Sequence, residues 1–343
     1  MRRFLHLIGV LAALTMAAPA MAQVLDFEAL DGWQDDSHGE ALVTFLKTCK
    51  RFDDPDWRPI CALAAETPQD DVSARSFFEL FFKPVLIGAP PALFTGYYEP
   101  ELDGSPVRTV RFAYPIYRKP AELVEGSVWY SREEIEGGIM VGRGLELAWL
   151  DDPIDVYFLQ IQGSGRIRMP DGHIMRVGYA AKNGQPYRSI GQELVNRGLF
   201  TLDQVSARVI RDWVKDNPVE GAKLLNFNPS YVFFRKIADL PASQGPIGAM
   251  GRSITPFRSI AVDPLFTPLG APVWIEKDGD LPMRRLMVAQ DTGGAIKGMQ
   301  RADIFFGTGF EAGDAAGMVK DGGRMIVLLP IDRAYAMLEP TDE

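Results

Sequence analysis

Histidine and cysteine are scarce in this 343-residue chain, at three and two residues. His6, His38 and His173 lie far apart, and there is no His-Glu-x-x-His and no cysteine cluster. A zinc site is therefore not expected. Positive charge is also short: 36 Lys and Arg stand against 45 Asp and Glu, a formal net charge of −9. That balance excludes a nucleic-acid binder working by phosphate neutralisation. Beyond the first two dozen residues no long apolar run occurs, so no transmembrane anchor is expected in the mature form. Internal repeats and low-complexity blocks are missing as well.

What the N-terminus does contain is a targeting pattern. Arg2 and Arg3 precede a mostly apolar Phe4–Met16, and Ala20-Met21-Ala22 fits an A-x-A cleavage site. Residues 1–22 read as a signal peptide cleaved before Gln23. The apolar run is too short to span a bilayer comfortably. No cysteine lies near the cleavage site, so lipid anchoring is not indicated, and a soluble exported protein is expected. Export makes a disulfide between Cys49 and Cys61 the favoured pairing, across a loop-like stretch with two prolines. Two free buried thiols are the alternative.

Short Val-, Ile- and Phe-rich runs between scattered Gly and Pro predict a mainly β fold with some α. Helices are expected over 35–48, 72–82 and much of 190–216, the last closing at Asn217-Pro218. Ser131 opens a short capped helix. Ile154–Ile161 reads as a strand, followed by a hairpin with Asp171-Gly172 at its tip. Another strand is expected at 230–237. From Gly245 onward the pattern is strand and turn.

Several motifs fail on inspection. GSGRIR lacks the third glycine of a dinucleotide loop. Met299 stands where a P-loop requires Lys. Ser164 lacks the glycines two positions away on each side that a nucleophile elbow uses. Asp291-Thr292-Gly293 follows an apolar run as in aspartic proteases, but those need two such aspartates and Asp-Thr-Gly occurs once.

Three aspartates remain, in AVDP (Asp263), VAQDTGGAIKG (Asp291) and RADIFFG (Asp303). Apolar neighbours raise a carboxyl pKa, as a general acid at neutral pH requires. Ala302, Ile304, Phe305 and Phe306 supply such a setting for Asp303; capping a turn before Gly307 is the alternative. Asp291 precedes Thr-Gly-Gly, whose N–H groups are expected to lower its pKa. That suits either an ionised electrostatic role or a structural one. Asp263 before Pro264 reads as structural, its carboxylate satisfying local donors.

The segments FTGYYEP (94–100), FLQIQGSGR (158–166), GYAAKNGQPYRSIG (178–191), NPSYVFFR (228–235), GRSITPFRSIAVDP (251–264) and DTGGAIKGMQRADIFFG (291–307) occur in this order. Together they resemble the MltA family of lytic murein transglycosylases, with its C-terminal three-aspartate domain, over nearly the whole mature chain. The resemblance implies a double-psi β-barrel from residues 23–100 plus 241–343, with a smaller inserted β-domain, 101–240, lining a glycan groove. Crossings near Pro100–Pro106 and Pro241–Gly245 would allow this.

The implied reaction cleaves the β-1,4 bond between N-acetylmuramic acid and N-acetylglucosamine in peptidoglycan, leaving 1,6-anhydromuramic acid. It needs one acid/base, which the resemblance assigns to Asp303, and no cofactor. Relatives are often outer-membrane lipoproteins; lacking the cysteine, this chain is expected free in the periplasm, with peptidoglycan glycan strands as its partner. Thr95, Tyr97 and Tyr98 then read as sugar contacts, although alternation along a strand sends Tyr97 and Tyr98 to opposite faces. Gln160 and Gln162, on one face of the expected strand beside Gly163-Ser164-Gly165, suit hydroxyl and N-acetyl groups. Tyr179, Lys182 and Tyr187 flank another glycine-bearing loop. Lys297 and Arg301 read as partners for muramic carboxylates or as surface charges. A hydrolytic glycosidase using Asp303 and Asp291, and a non-catalytic peptidoglycan-binding protein, are the competing readings.

Overall fold

The computed structural model describes residues 22–52 and 54–337. The expected signal segment therefore lies outside the described residues, except for Ala22. The chain opens with β1 (Ala22–Val24), then α1 (His38–Cys49), α2 (Trp57–Glu66), α3 (Asp71–Phe81), β2 (Phe82–Ile87) and β3 (Leu93–Glu99). α1 and α3 fall within a few residues of the periodic segments. The Asp70 side chain caps α3 by accepting from the Ser73 amide at 2.9 Å. Phe45 of α1 centres an aromatic cluster, with Phe52, Trp57, Phe77, Phe78 and Phe82 at 6.0–6.4 Å between ring centroids. Burying such side chains stabilises by about 1.5–3 kcal/mol each. Cys49 and Cys61 form the expected disulfide, their Cα atoms 5.4 Å apart. The stretch between them is only partly loop, because α2 already begins at Trp57.

Residues 101–237 form a second sheet with its own helices. It contains β4 (Glu101–Ser105), β5 (Tyr114–Tyr117), α4 (Arg132–Glu134), β6 (Glu146–Leu150), α5 (Pro153–Gln162), β7 (Ser164–Arg168) and β8 (Ile174–Lys182). α6 (Ile190–Asn196), α7 (Ala207–Asp216), α8 (Pro218–Phe227) and β9 (Val232–Ile237) follow. The strand order is β5-β6-β4-β7-β8-β9. The β7–β8 hairpin and the Ser131–Glu134 capping box appear where the sequence places them.

The strand expected at Ile154–Ile161 is instead helix α5. The Asp152 side chain accepts from the Ile154 amide at 2.8 Å, Pro153 occupies the first turn, and Gly163 ends the helix at φ +75°. The segment is apolar almost all round because both sides are buried. Val156 and Leu159 enter the core of the second sheet, whereas Ile154 and Tyr157 pack among α6–α8. Periodicity cannot separate such a helix from a buried strand. α7 closes at Asp216 as expected, but Pro218 does not end the helical region. It opens α8, at a position where a missing N–H costs nothing.

The last third returns to the first sheet with β10 (Ser259–Val262), β11 (Pro272–Lys277), β12 (Met283–Thr292) and β13 (Arg301–Thr308). After α9 (Phe310–Gly317) come β14 (Lys320–Asp321), β15 (Gly323–Pro330) and α10 (Ile331–Ala336). The nine strands run β1-β2-β15-β11-β12-β10-β13-β3-β14. Two pairings are parallel, β10 with β12 and β13 with β3. The fold is thus mixed and sheet-rich with helices. α9 and α10 depart from the expected strand-and-turn texture. α9 packs tightly on β3 at Gly96, where a Cβ would lie 2.7 Å from the Ala316 Cα.

The two sheets are pinned where the chain passes between them. Glu99, fully buried at the end of β3, accepts from Arg166 at 2.9 Å, Arg176 at 2.7 Å and Thr308 at 2.9 Å. The same arginines donate to the carbonyls of Pro241, Ala242 and Gln244 on the return crossing.

Candidate active site

Four neighbouring strands bring the central residues into one row. Asp291 of β12 pairs in register with Ala261 of β10, Ala261 with Asp303 of β13, and Asp303 with Thr95 of β3. In-register residues point to one face of a sheet. Alternation adds Tyr97 and Phe305 to that face, and turns Phe94, Ala302, Ile304 and Phe306 into the main core. Of the apolar residues expected to surround Asp303, Phe305 alone therefore shares its face.

Asp303 is half-buried. Its Oδ1 accepts a short hydrogen bond from the Thr95 hydroxyl, and that hydroxyl accepts from Arg301 Nη2 at 2.8 Å. Arg301 reaches Asp303 through Thr95, and no ion pair joins the two among the described residues. Burial raises the Asp303 pKa above the ordinary carboxyl value, while the Thr95 bond and the Arg301 charge pull the other way. The net direction is upward, and Oδ2 has no hydrogen-bond partner among the described residues.

Asp291 sits among donors. Its Oδ1 accepts from the Thr292 and Ala249 amides, both at 2.9 Å, and its Oδ2 accepts from the Tyr97 hydroxyl at 3.0 Å. The sequence led us to expect a lowered pKa from the backbone donors. They do lower it, but burial outweighs them and the value stands at about 6. Burial and the two carboxylates also push the Tyr97 phenol well up, keeping it a donor. The Ala249 amide had no counterpart in the sequence reading, since a backbone N–H leaves no side-chain signature. The clue was Gly248, where a Cβ would lie 2.8 Å from the Gln290 carbonyl. The Ala249 loop is held against β12 by the Met250 amide, which donates to the Gln290 carbonyl at 3.3 Å.

The raised Asp291 value has a stability consequence. A carboxyl whose folded pKa exceeds its unfolded value binds its proton more tightly when folded, so stability falls as pH rises from about 4 to about 6. Asp291→Asn removes that loss and keeps acceptors for both amides. We expect it to be more stable than wild type by about 1 kcal/mol at pH 7.5, after discounting for partial solvent access. The gap should close by pH 4. Urea midpoints at the two pH values test this; a gap that widens toward acid contradicts it.

The other candidates divide. Tyr98 turns away from the aspartates and packs its ring on Gly313, while its amide donates to Gln162 Oε1 at 3.0 Å. Gln162 is therefore held against β3. Gln160, expected beside it on a strand face, is buried in α5 with 4% exposure and accepts from Arg132 at 2.6 Å. Two helical steps of about 100° each separate their directions. Gly163 caps α5, Ser164 begins β7, and Gly165 has no room for a side chain, its Cβ position being 2.4 Å from Leu159. Arg301 spends its donors inward, on Thr95 and on the Leu93 and Ala302 carbonyls. Lys297 is exposed, 3.8 Å from Asp263. Asp263 is buried and accepts from the Gly298 amide at 3.0 Å, which leads in lowering its pKa. Tyr179 and Tyr187 are exposed on the second-sheet side, as is Lys182.

Residues 93–235 match the MltA specific insert domain, and residues 258–329 match the 3D domain. The membrane-bound lytic murein transglycosylase A of Vibrio cholerae is 35% identical over 243 residues, which is 68% of this chain and 64% of that protein. The chain thus spans somewhat less than two thirds of that curated relative. A crystal structure of a membrane-bound lytic murein transglycosylase from Agrobacterium tumefaciens superposes with a TM-score of 0.83. It is 33% identical and covers 92% of this chain and 99% of its own. Escherichia coli MltA with bound chitohexaose gives a TM-score of 0.71 at 31% identity, covering 86% and 90%.

Proposed function

The chain belongs to the MltA family, and from that premise we propose that it is a lytic murein transglycosylase with Asp303 as its single acid/base. The observation that carries this reading is a half-buried carboxyl with a raised pKa, bound on one oxygen by Thr95 and without an ion pair among the described residues. Protonated Asp303 gives its proton to the glycosidic oxygen between N-acetylmuramic acid and N-acetylglucosamine as the C1–O bond breaks. As carboxylate it then takes the proton of the muramic C6 hydroxyl, whose oxygen bonds to C1. The products are a 1,6-anhydromuramic end and a free 4-hydroxyl, with no water consumed. Asp291, ionised above about pH 6, stabilises positive charge at C1, and Tyr97 orients it.

The glycan is proposed to lie along the face bearing Thr95, Asp303 and Asp291, with Gln162, Gly163, Ser164 and Gly165 on its other side. A hexasaccharide bound to the Escherichia coli relative supports a carbohydrate ligand. We describe the nine-strand sheet as a double-psi β-barrel and residues 101–240 as the inserted domain. The parallel β10–β12 and β13–β3 pairings and the separate six-strand sheet support that description. The signal-like N-terminus supports a periplasmic location, and no helix among the described residues is long and apolar enough to cross a membrane.

Purified murein sacculi incubated with the mature protein should release anhydromuropeptides, identified by mass spectrometry. Products one water heavier, with reducing ends, would instead mean hydrolysis, with Asp291 as the second carboxylate. Binding without any product would mean a glycan-binding protein.

A further inference from the structure

The second sheet carries a charged feature that the proposed chemistry leaves unused. A cavity of about 530 Å³ opens over it, with Arg118, Lys119, Arg235 and Lys236 among its lining residues. All four are exposed. Among the described residues none makes an ion pair, although the chain carries a net charge of −9 and most of its other arginines do. Glu146 alone brings negative charge to the lining. Buried Phe234 and Leu147 form an apolar floor, and the backbone bridge of Phe234 to Arg118 holds the two basic pairs together. The Arg118 guanidinium donates to the Gly144 carbonyl at 2.5 Å, which fixes one cation in place.

We propose that this cavity binds the carboxylate-bearing peptide stem of the glycan strand; the proposal rests on the murein reading above. Four cations gathered on an acidic protein suit a ligand with several carboxylates. The aliphatic stems of these Lys and Arg side chains over an apolar floor suit the small methyl side chains between those carboxylates in a muramyl peptide. Exposed charges act through water and salt screens them, so the contribution is to capture rather than to bond cleavage. It belongs in KM and in its salt dependence, with kcat unchanged.

The test uses the full chain with Arg235→Glu plus Lys236→Glu, and Lys119→Glu as a second variant. Each is compared with wild type on peptide-bearing glycan strands and on strands stripped of peptides by an amidase. The expected result is a KM about tenfold higher on peptide-bearing strands only, and a preference that weakens in high salt. Equal KM for variant and wild type on peptide-bearing strands overturns the proposal. So does an equal loss on both substrates, which would place the cations on the glycan or in the fold. Loss of sedimentation with anionic phospholipid vesicles, with murein kinetics unchanged, would assign the cavity to lipid headgroups and overturn it too. Strand binding measured in the Asp303→Asn background keeps the two readings separable. Peptide-dependent binding without wild-type turnover sinks the lytic reading and supports the cavity, and turnover without peptide preference does the reverse.

Discussion

Asp303→Asn should lower anhydromuropeptide release by about 10³-fold or more while leaving the fold intact. The size follows from the number of proton transfers assigned to one group. General acid or base help contributes about 10²–10⁴-fold per step, and here the same carboxyl serves as acid and then as base. An amide can neither give nor receive that proton at the required cost. The fold has no reason to suffer, because the amide oxygen can still accept from Thr95, and replacing a buried carboxyl whose pKa is already raised removes a charge that was costly to form. The measurement is product release by mass spectrometry, with thermal melting as the control. Activity within tenfold of wild type would remove Asp303 from the mechanism and shift attention to Asp291.

The pH dependence of the wild type adds a constraint. Asp303 must be protonated at rest, and Asp291 ionised, for the proposed division of roles. Burial raises both carboxyls, and the Asp303 charge raises Asp291 further. A bell-shaped profile is then expected, with an acid limb near the Asp291 value of about 6.

How far the sequence could be read depended on the kind of physics involved. Local rules carried α3, the Ser131 capping box and the β7–β8 hairpin, since caps, periodicity and turn residues act over a few positions. They failed at α5, where burial on two sides erases the polar face that marks a helix, and the role expected of Gln160 failed with it. The apolar neighbours of Asp303 were legible, but their directions needed alternation within a known register. The row of Asp291, Ala261, Asp303 and Thr95 spans four strands drawn from distant parts of the chain. No spacing in the sequence encodes it. For Asp291 the backbone donors were foreseeable, whereas the burial that outweighs them belongs to the assembled site.

Glu99→Ala should cost about 3–5 kcal/mol of stability, the penalty for breaking a buried charge cluster by removing one side of it. Glu99 is a single carboxylate between two guanidiniums, those of Arg166 and Arg176, with side chains 13% and 7% exposed. Without it, Arg176 loses its one carboxylate among the described residues, Arg166 keeps only Glu101 at 3.6 Å, and Thr308 loses its acceptor. Both arginines also hold the 241–244 crossing through backbone carbonyls. Loosening them therefore frees the return path between the sheets as well as the end of β3, the strand that carries Thr95 and Tyr97. Glu99→Gln, which keeps acceptor capacity but loses the charge, should cost less. Urea denaturation checks the order, and Glu99→Ala combined with Arg176→Met should recover part of the loss because one stranded charge is removed. A cost below about 1 kcal/mol for Glu99→Ala would mean that water reaches the cluster and that the joint between the sheets is held elsewhere.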